Sequence, residues 1–403
     1  MTAEKPTIPK VFMLGPIKPA TDSVRSGTLT YRDLDPAVSK HKPYEYARMD
    51  EFWDAEPDSL EEQEKASQLA TQYILMGSQA LINAGTEDNR ALWSRRYTNA
   101  TVELYGTPDT DMARKLFMDY EAGKEINQPF YEAAKQVGEY LNNKYSDVYA
   151  ALDLDNASDS VNMISVADRF EAAVSVLKAS YDETWGEWGV ERNEESDTLS
   201  VFAIDKVIII GMQRASISPT QLKGLFSHEV LVHGLRSVNG SKRSQELATG
   251  LPGYLDAEEG LGVFVEYAVT GKISDKIVDR YTDVAYALGV IDGKEHTRQE
   301  LIEYAMIRAV KRNDASSIPK SSEDIEKEVY AHVNRIYRGS LGNKHIGIFT
   351  KDIAYYNGFL SMGNYISSEL DKNKSPASIM EYLLQGKFDP MNEQHVATLK
   401  RKV

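Results

Sequence analysis

Two histidines five residues apart on one helix place the tightest constraint on how this chain can fold. Residues 227–234 read Ser-His-Glu-Val-Leu-Val-His-Gly, which sets His228 and His233 on the same segment with Glu229 directly after the first. Ser218-Pro219 opens the helix, because serine caps it and proline at the first helical position loses no needed N–H. The spacing is HExxxH, one residue longer than the HExxH of zincins. At about 100° per residue, positions four apart differ by about 40° around a helix, but positions five apart differ by about 140°. On a regular helix the two imidazoles diverge. A single π-bulge near Leu231 or Val232 brings them to one side. The alternative is two histidines with no shared role, one buried and one exposed.

Composition narrows the chemistry open to such a pair. The 403 residues contain no cysteine and seven histidines. Disulfides, thiolate zinc sites and cysteine nucleophiles are thereby excluded, so a metal site has to be built from His, Asp and Glu. The 46 basic and 61 acidic residues give a net charge of −15, which argues against a nucleic-acid binder or a protein held on anionic membranes. The N-terminal stretch carries prolines and charges where a signal peptide needs an apolar run, and no window approaches a membrane span of about 18 apolar residues. A cytoplasmic location is the resulting expectation.

Along the chain, residues 1–58 are rich in proline and read as an extended arm. Helical patterns follow at 60–83, 90–105, 129–142 and 166–181; in the last, Phe170, Val174, Leu177 and Tyr181 recur at helical steps. Residues 198–204 and 206–210 read as strands, and the apolar run from Val207 to Met212 suits a buried one. Helices then dominate to the C-terminus. The expected fold is α+β and mostly α-helical, with a zincin-like core and a small sheet beside the HExxxH helix. The expected organisation is the arm at 1–58, a helical region at 59–165 and a catalytic domain at 166–403.

A second acidic helix follows the histidine pair, running Asp256-Ala257-Glu258-Glu259-Gly260-Leu261-Gly262-Val263-Phe264-Val265-Glu266. In zinc peptidases such a helix supplies a third ligand, and a strand before the first helix pairs with extended substrate. Glu259 and Glu266, seven apart, share a face. Asp256 and Glu258 suit a solvated helix N-terminus, where the dipole favours carboxylates. Glu266 does not, because Val263, Phe264 and Val265 mark a buried stretch in which a carboxylate needs a partner.

These residues resemble a known family. His228-Glu229 to His233 with Leu235-Arg236 and Asn239-Gly240, then Glu258-Glu259-Gly260-Leu261, is similar to the QEGLA-motif proteins. That group, first described as flavohemoglobin expression-modulating, includes the microtubule-associated tyrosine carboxypeptidases. A third block, Arg335-Ile336-Tyr337-Arg338-Gly339 and Phe349 to Gly358, carries an FTKDxxYxxG core at the family's spacing. Glu103 to Pro108 is a fainter echo, while residues 1–58 and the last forty or so match no pattern. Two departures stand out: Glu258 replaces the glutamine of QEGLA, and Gly262 replaces its alanine.

The resemblance implies a zinc carboxypeptidase that removes a C-terminal residue, tyrosine or another aromatic, from peptides or proteins. It implies one Zn2+ per chain, bound by His228, His233 and Glu259, with Glu229 as the base that activates a zinc-bound water. The chemistry of these residue types is consistent with that assignment. Tyr355, with His332 behind it, is the candidate oxyanion donor; its bland alternative is a core aromatic. Arg338 and Lys351, then Arg335 and Arg236, are candidates for gripping the substrate carboxylate, against the alternative that they merely complement helix dipoles. The HExxxH spacing also resembles dipeptidyl peptidase III, so an aminopeptidase or dipeptidyl-peptidase-like enzyme is a second reading. A non-catalytic regulatory protein with a retained metal site is a third. The net charge of −15 argues against highly acidic, tubulin-like tails as substrate.

Overall fold

The computed structural model describes residues 126–400 apart from 182, 197, 203–204, 252–253, 315–318 and 337–351. The helices expected at 60–83 and 90–105, and the arm at 1–58, lie outside the described residues. Two compact units are resolved, one of Gly123–Asp275 with Ala354–Val403, the other including Lys276–Ile353. The unit that carries the histidine pair thus begins upstream of the 165/166 boundary expected from sequence. None of the described helices is long and apolar enough to cross a membrane.

The first unit opens with helices α1 (Gln128–Lys144), α2 (Ser146–Ala151) and α3 (Met163–Ser180). Asn127 and Asn162 cap α1 and α3 by accepting from the N–H groups of Phe130 and Ser165. On α1, Phe130, Ala133, Ala134, Val137, Gly138 and Leu141 line one buried face, as the 3.6-residue period requires. On α3 the expected face of Phe170, Val174 and Leu177 is buried, and Tyr181 sits at the cap.

Three strands follow: β1 (Gly189–Asn193), β2 (Leu199–Phe202) and β3 (Val207–Gly211), in the order β1-β3-β2. β3 runs parallel to β1 and antiparallel to β2, pairing Val207 with both Gly189 and Phe202. All five residues of β3 are buried, which accounts for its unbroken apolar run in the centre of the sheet. β1, whose Gly189-Val-Glu-Arg-Asn193 has little apolar alternation, escaped the sequence reading; its register is set by β3.

Next come α4 (Pro219–His228), a π-helical turn (Glu229–Gly234), α5 (Leu235–Ser241), α6 (Gln245–Thr249) and α7 (Leu255–Thr270). α4 begins where expected, with a full capping box: Gln221 N–H donates to the Ser218 hydroxyl, and Ser218 N–H to the Gln221 side chain. α7 packs against both α4 and α1, while β2 lies along the π turn. After the second unit the chain returns with α11 (Ile353–Asp371), α12 (Pro376–Leu383) and α13 (Glu393–Lys400). Phe130 meets Phe264 of α7 and Phe359 of α11 edge-on, with centroids 5.5 and 5.0 Å apart. Each such buried ring contributes about 1.5–3 kcal/mol over exposure. Among the described residues the fold is mostly α with one small sheet, as expected.

Within the second unit, α8 (Asp275–Ala287), α9 (Arg298–Asp314) and α10 (Ser322–Ile336) are joined by buried charge. Asp283 accepts two bonds from the Arg308 fork, at 2.8 and 2.6 Å, and one contact from His332 at 2.6 Å. A carboxylate with no exposure needs that many partners.

Candidate metal centre

The π turn resolves the spacing problem of the histidine pair. At its end the Leu235 N–H reaches back to the Val230 carbonyl, the five-residue bond that inserts one extra residue into a helix. The bulge falls on the residues where convergence demanded it. The His228 and His233 rings are neighbours as a result, with centroids 4.8 Å apart. Gly234, next to His233, lets the Trp185 ring pack on the turn, since a Cβ there would stand 2.7 Å from that ring.

Glu259 completes the set from α7. Its Oε2 lies 3.7 Å from Nε2 of His228 and 3.7 Å from Nε2 of His233. One ligand atom from each of the three residues lies within 4.8 Å of the others. A point equidistant from atoms so spaced sits roughly 2.0–2.4 Å from each, against about 2.0–2.2 Å for zinc bonded to histidine nitrogen or carboxylate oxygen. Two imidazoles and one carboxylate, all largely buried, therefore fit a zinc-sized cation in both chemistry and spacing.

Behind each histidine stands another carboxylate. Nδ1 of His233 is 2.8 Å from Glu258 Oε1, and Nδ1 of His228 is 3.4 Å from Glu266 Oε2. A proton on each Nδ1, shared with these carboxylates, would let Nε2 of each ring turn to a cation held with Glu259. Glu266 thus has the partner its apolar surroundings call for. Glu258 corrects the expectation of a solvated helix start, for it is only 2 % exposed. The helix turns its first buried face, not its solvated one, toward α5.

The electrostatics follow from this crowding. Burial would lower the His228 pKa, but Glu259, Glu266 and Glu229 outweigh it and hold the ring well above the ordinary range. His233 is shifted upward in the same way, against burial, by Glu258 and Glu259. Burial would raise Glu259, yet the two histidines hold it well below the usual carboxylate range. Glu258 is also held low: Lys387, Arg236 and His233 together overcome its desolvation. Glu229 is the exception. Burial, with the Glu259 carboxylate beside it, raises its pKa against the opposing pull of His228, His233 and Arg214.

The other sequence candidates are placed as follows. Tyr355 is on α11, three residues before Gly358, and Gly358 abuts Gly260 beside Glu259. A Cβ on Gly260 would overlap the Gly358 backbone, so two bare α-carbons let the helices touch at this point. Arg236 is fully buried behind the site, donating to Glu258 and to the Gly386 and Phe388 carbonyls. This corrects its assignment to the substrate carboxylate: the guanidinium is committed to the scaffold. Arg335 is on α10 of the second unit, where nothing of its side chain is described; Arg338 and Lys351 lie outside the described residues. His332, expected behind Tyr355, is bonded to Asp283 in the second unit.

Sequence reasoning missed the supporting role of Glu258, the cation Lys387, and Arg214, whose charge acts on Glu229 from the loop after β3. Only Glu258 carried a signal, as the departure from QEGLA. Gly262, the other departure, packs directly on the site: a Cβ there would be 2.6 Å from Nε2 of His228.

A family model described as microtubule-associated tyrosine carboxypeptidase matches residues 90–288 and 315–402. The match takes in both metal-site helices and α11, and it runs through the C-terminal stretch where sequence inspection found no resemblance. No curated protein matches the chain significantly.

Proposed function

The chain belongs to the microtubule-associated tyrosine carboxypeptidase family, and from that premise we propose that it is a zinc-dependent carboxypeptidase acting on free peptide or protein C-termini. The observation that carries the zinc requirement is the convergence of His228, His233 and Glu259 through the π turn. Zinc bound there would polarise the scissile carbonyl and acidify a water molecule.

The chain's own residues supply the rest. Glu229 follows a ligand in sequence and has a carboxyl raised by burial, so it accepts a proton from the attacking water and passes it to the leaving amine. Glu258 and Glu266 hold the imidazoles by Nδ1. Tyr355, one turn before the α7–α11 contact, is the proposed donor to the developing oxyanion. Among the described residues β2 is an edge strand of the sheet in contact with the π turn, suited to pair with an extended substrate backbone. The net charge of −15 disfavours highly acidic tails at long range, so we propose a C-terminus of lower negative charge than a tubulin-like one.

Paired peptides ending in a free acid and in an amide test this reading. Loss of one residue from the free acid alone, by zinc-loaded protein, is expected; release of N-terminal residues or dipeptides from both would overturn it in favour of an aminopeptidase-like enzyme.

A further inference from the structure

Glu258 stands where the QEGLA pattern has glutamine, and its surroundings explain what the charge is for. Its Oε1 is 2.8 Å from His233 Nδ1 and 3.1 Å from Lys387 Nζ, while Oε2 accepts from Arg236 Nη1 at 2.5 Å. Three donors converge on two carboxylate oxygens. A glutamine in this place would offer one acceptor oxygen and turn an NH2 group on the remaining donors.

The two cations reach Glu258 along one route. Arg236 also donates to the Gly386 and Phe388 carbonyls, so guanidinium and Lys387 are joined through residues 386–388, 150 positions after Arg236. That turn is pinned on both sides of Lys387, whose N–H donates to Leu247 O at 2.7 Å and whose carbonyl accepts from Leu251 N–H at 3.1 Å. Asn239 on α5 and Arg243 in the turn after it hold the Leu384 and Leu399 carbonyls at 2.9 Å each. Lys387 itself is 7 % exposed, and an ammonium at that depth requires a counter-charge.

We infer that Glu258 and Lys387 are a matched pair of positioning residues: the carboxylate fixes His233 with Nε2 toward Glu259, and Lys387 supplies the counter-charge that a carboxylate needs there. The inference rests on the proposed metal role of His233. Replacing Glu258 alone leaves two buried cations against an amide and adds a positive charge beside the metal site. Replacing both members restores the original sum of charge.

The test measures zinc affinity, by competition with a chromophoric chelator, and melting of the metal-free full-length protein, for native, E258Q, K387M and E258Q/K387M. E258Q is expected to bind zinc about 10–100-fold more weakly. K387M is expected to melt below native when metal-free, because the buried Glu258 loses a counter-charge, and the double variant to recover most of the E258Q loss of zinc affinity. The metal-free melting point should likewise fall in E258Q and rise again in the double variant. Zinc binding by E258Q within threefold of native, or a double variant no tighter than E258Q, would overturn the pairing. Should E258Q fail to fold, folding of the double variant supports the pairing and its failure overturns it. Native protein without zinc affinity contradicts the metal reading instead, and the metal-free melting cycle then decides the pair by itself.

Discussion

Gly262 and His228 are in direct register: the bare α-carbon of one faces the ring nitrogen that the other turns toward Glu259, and a methyl group there would stand 2.6 Å from that Nε2. Real side-chain carbons do not approach that closely, so the ring has to move by several tenths of an ångström. Gly262→Val, bulkier than the alanine of the QEGLA pattern, is therefore expected to weaken zinc binding about tenfold or more. Isothermal or chelator-competition titration checks it. Native affinity in the variant would mean the ring has room that this arrangement denies it.

The neighbouring glycine behaves differently. At Gly260 the obstacle is the Gly358 backbone rather than a movable ring, and Gly358 in turn lies against the Asp256 carbonyl. Gly260→Ala forces α7 and α11 apart and is expected to cost about 3 kcal/mol or more. Urea unfolding of the metal-free protein measures this without reference to activity; a loss below about 1 kcal/mol would contradict so close a helix contact.

Removal of the metal should be visible in stability. His228 and His233 are enclosed by Glu229, Glu258, Glu259 and Glu266, a set whose negative charge a divalent cation bound there would offset in the folded chain and not in the unfolded one. Zinc at about a thousandfold over its dissociation constant stabilises by about 4 kcal/mol. Chelation is expected to lower the melting temperature by roughly 10 °C for a unit of this size, with zinc restoring it and magnesium not. An unchanged melting curve would count against the metal centre.

Tyr355→Phe separates a catalytic hydroxyl from a packing ring. Loss of an oxyanion donor lowers kcat about 100-fold with little change in KM. Steady-state kinetics on a C-terminal peptide substrate distinguish the two; unaltered kcat would return Tyr355 to the core aromatics.

Much of this architecture was legible beforehand, for local reasons. The cap at Ser218, the buried run of β3 and the apolar face of α3 are encoded within a few residues of where they act. The π turn was legible too, because five-residue spacing and a shared ligand are compatible in no other helical geometry. Glu258 was misread because helix-start carboxylates are commonly solvated, and the partners that bury it arrive from α5 and from residues 386–388. Arg236 was misassigned for the same reason: the Gly386 and Phe388 carbonyls that consume its donors are remote in sequence. β1 went unseen because its pairing with β3 is dictated by the partner strand.

The central claim is that Glu229 performs the chemistry at a zinc site built from His228, His233 and Glu259. Mass-resolved digestion of a peptide library by native protein and by Glu229→Gln, each with its zinc content measured, tests it most directly. The account predicts that both proteins hold one zinc per chain and that only the native one removes a single C-terminal residue. Equal trimming by the variant, or a native protein that trims without zinc, would contradict it.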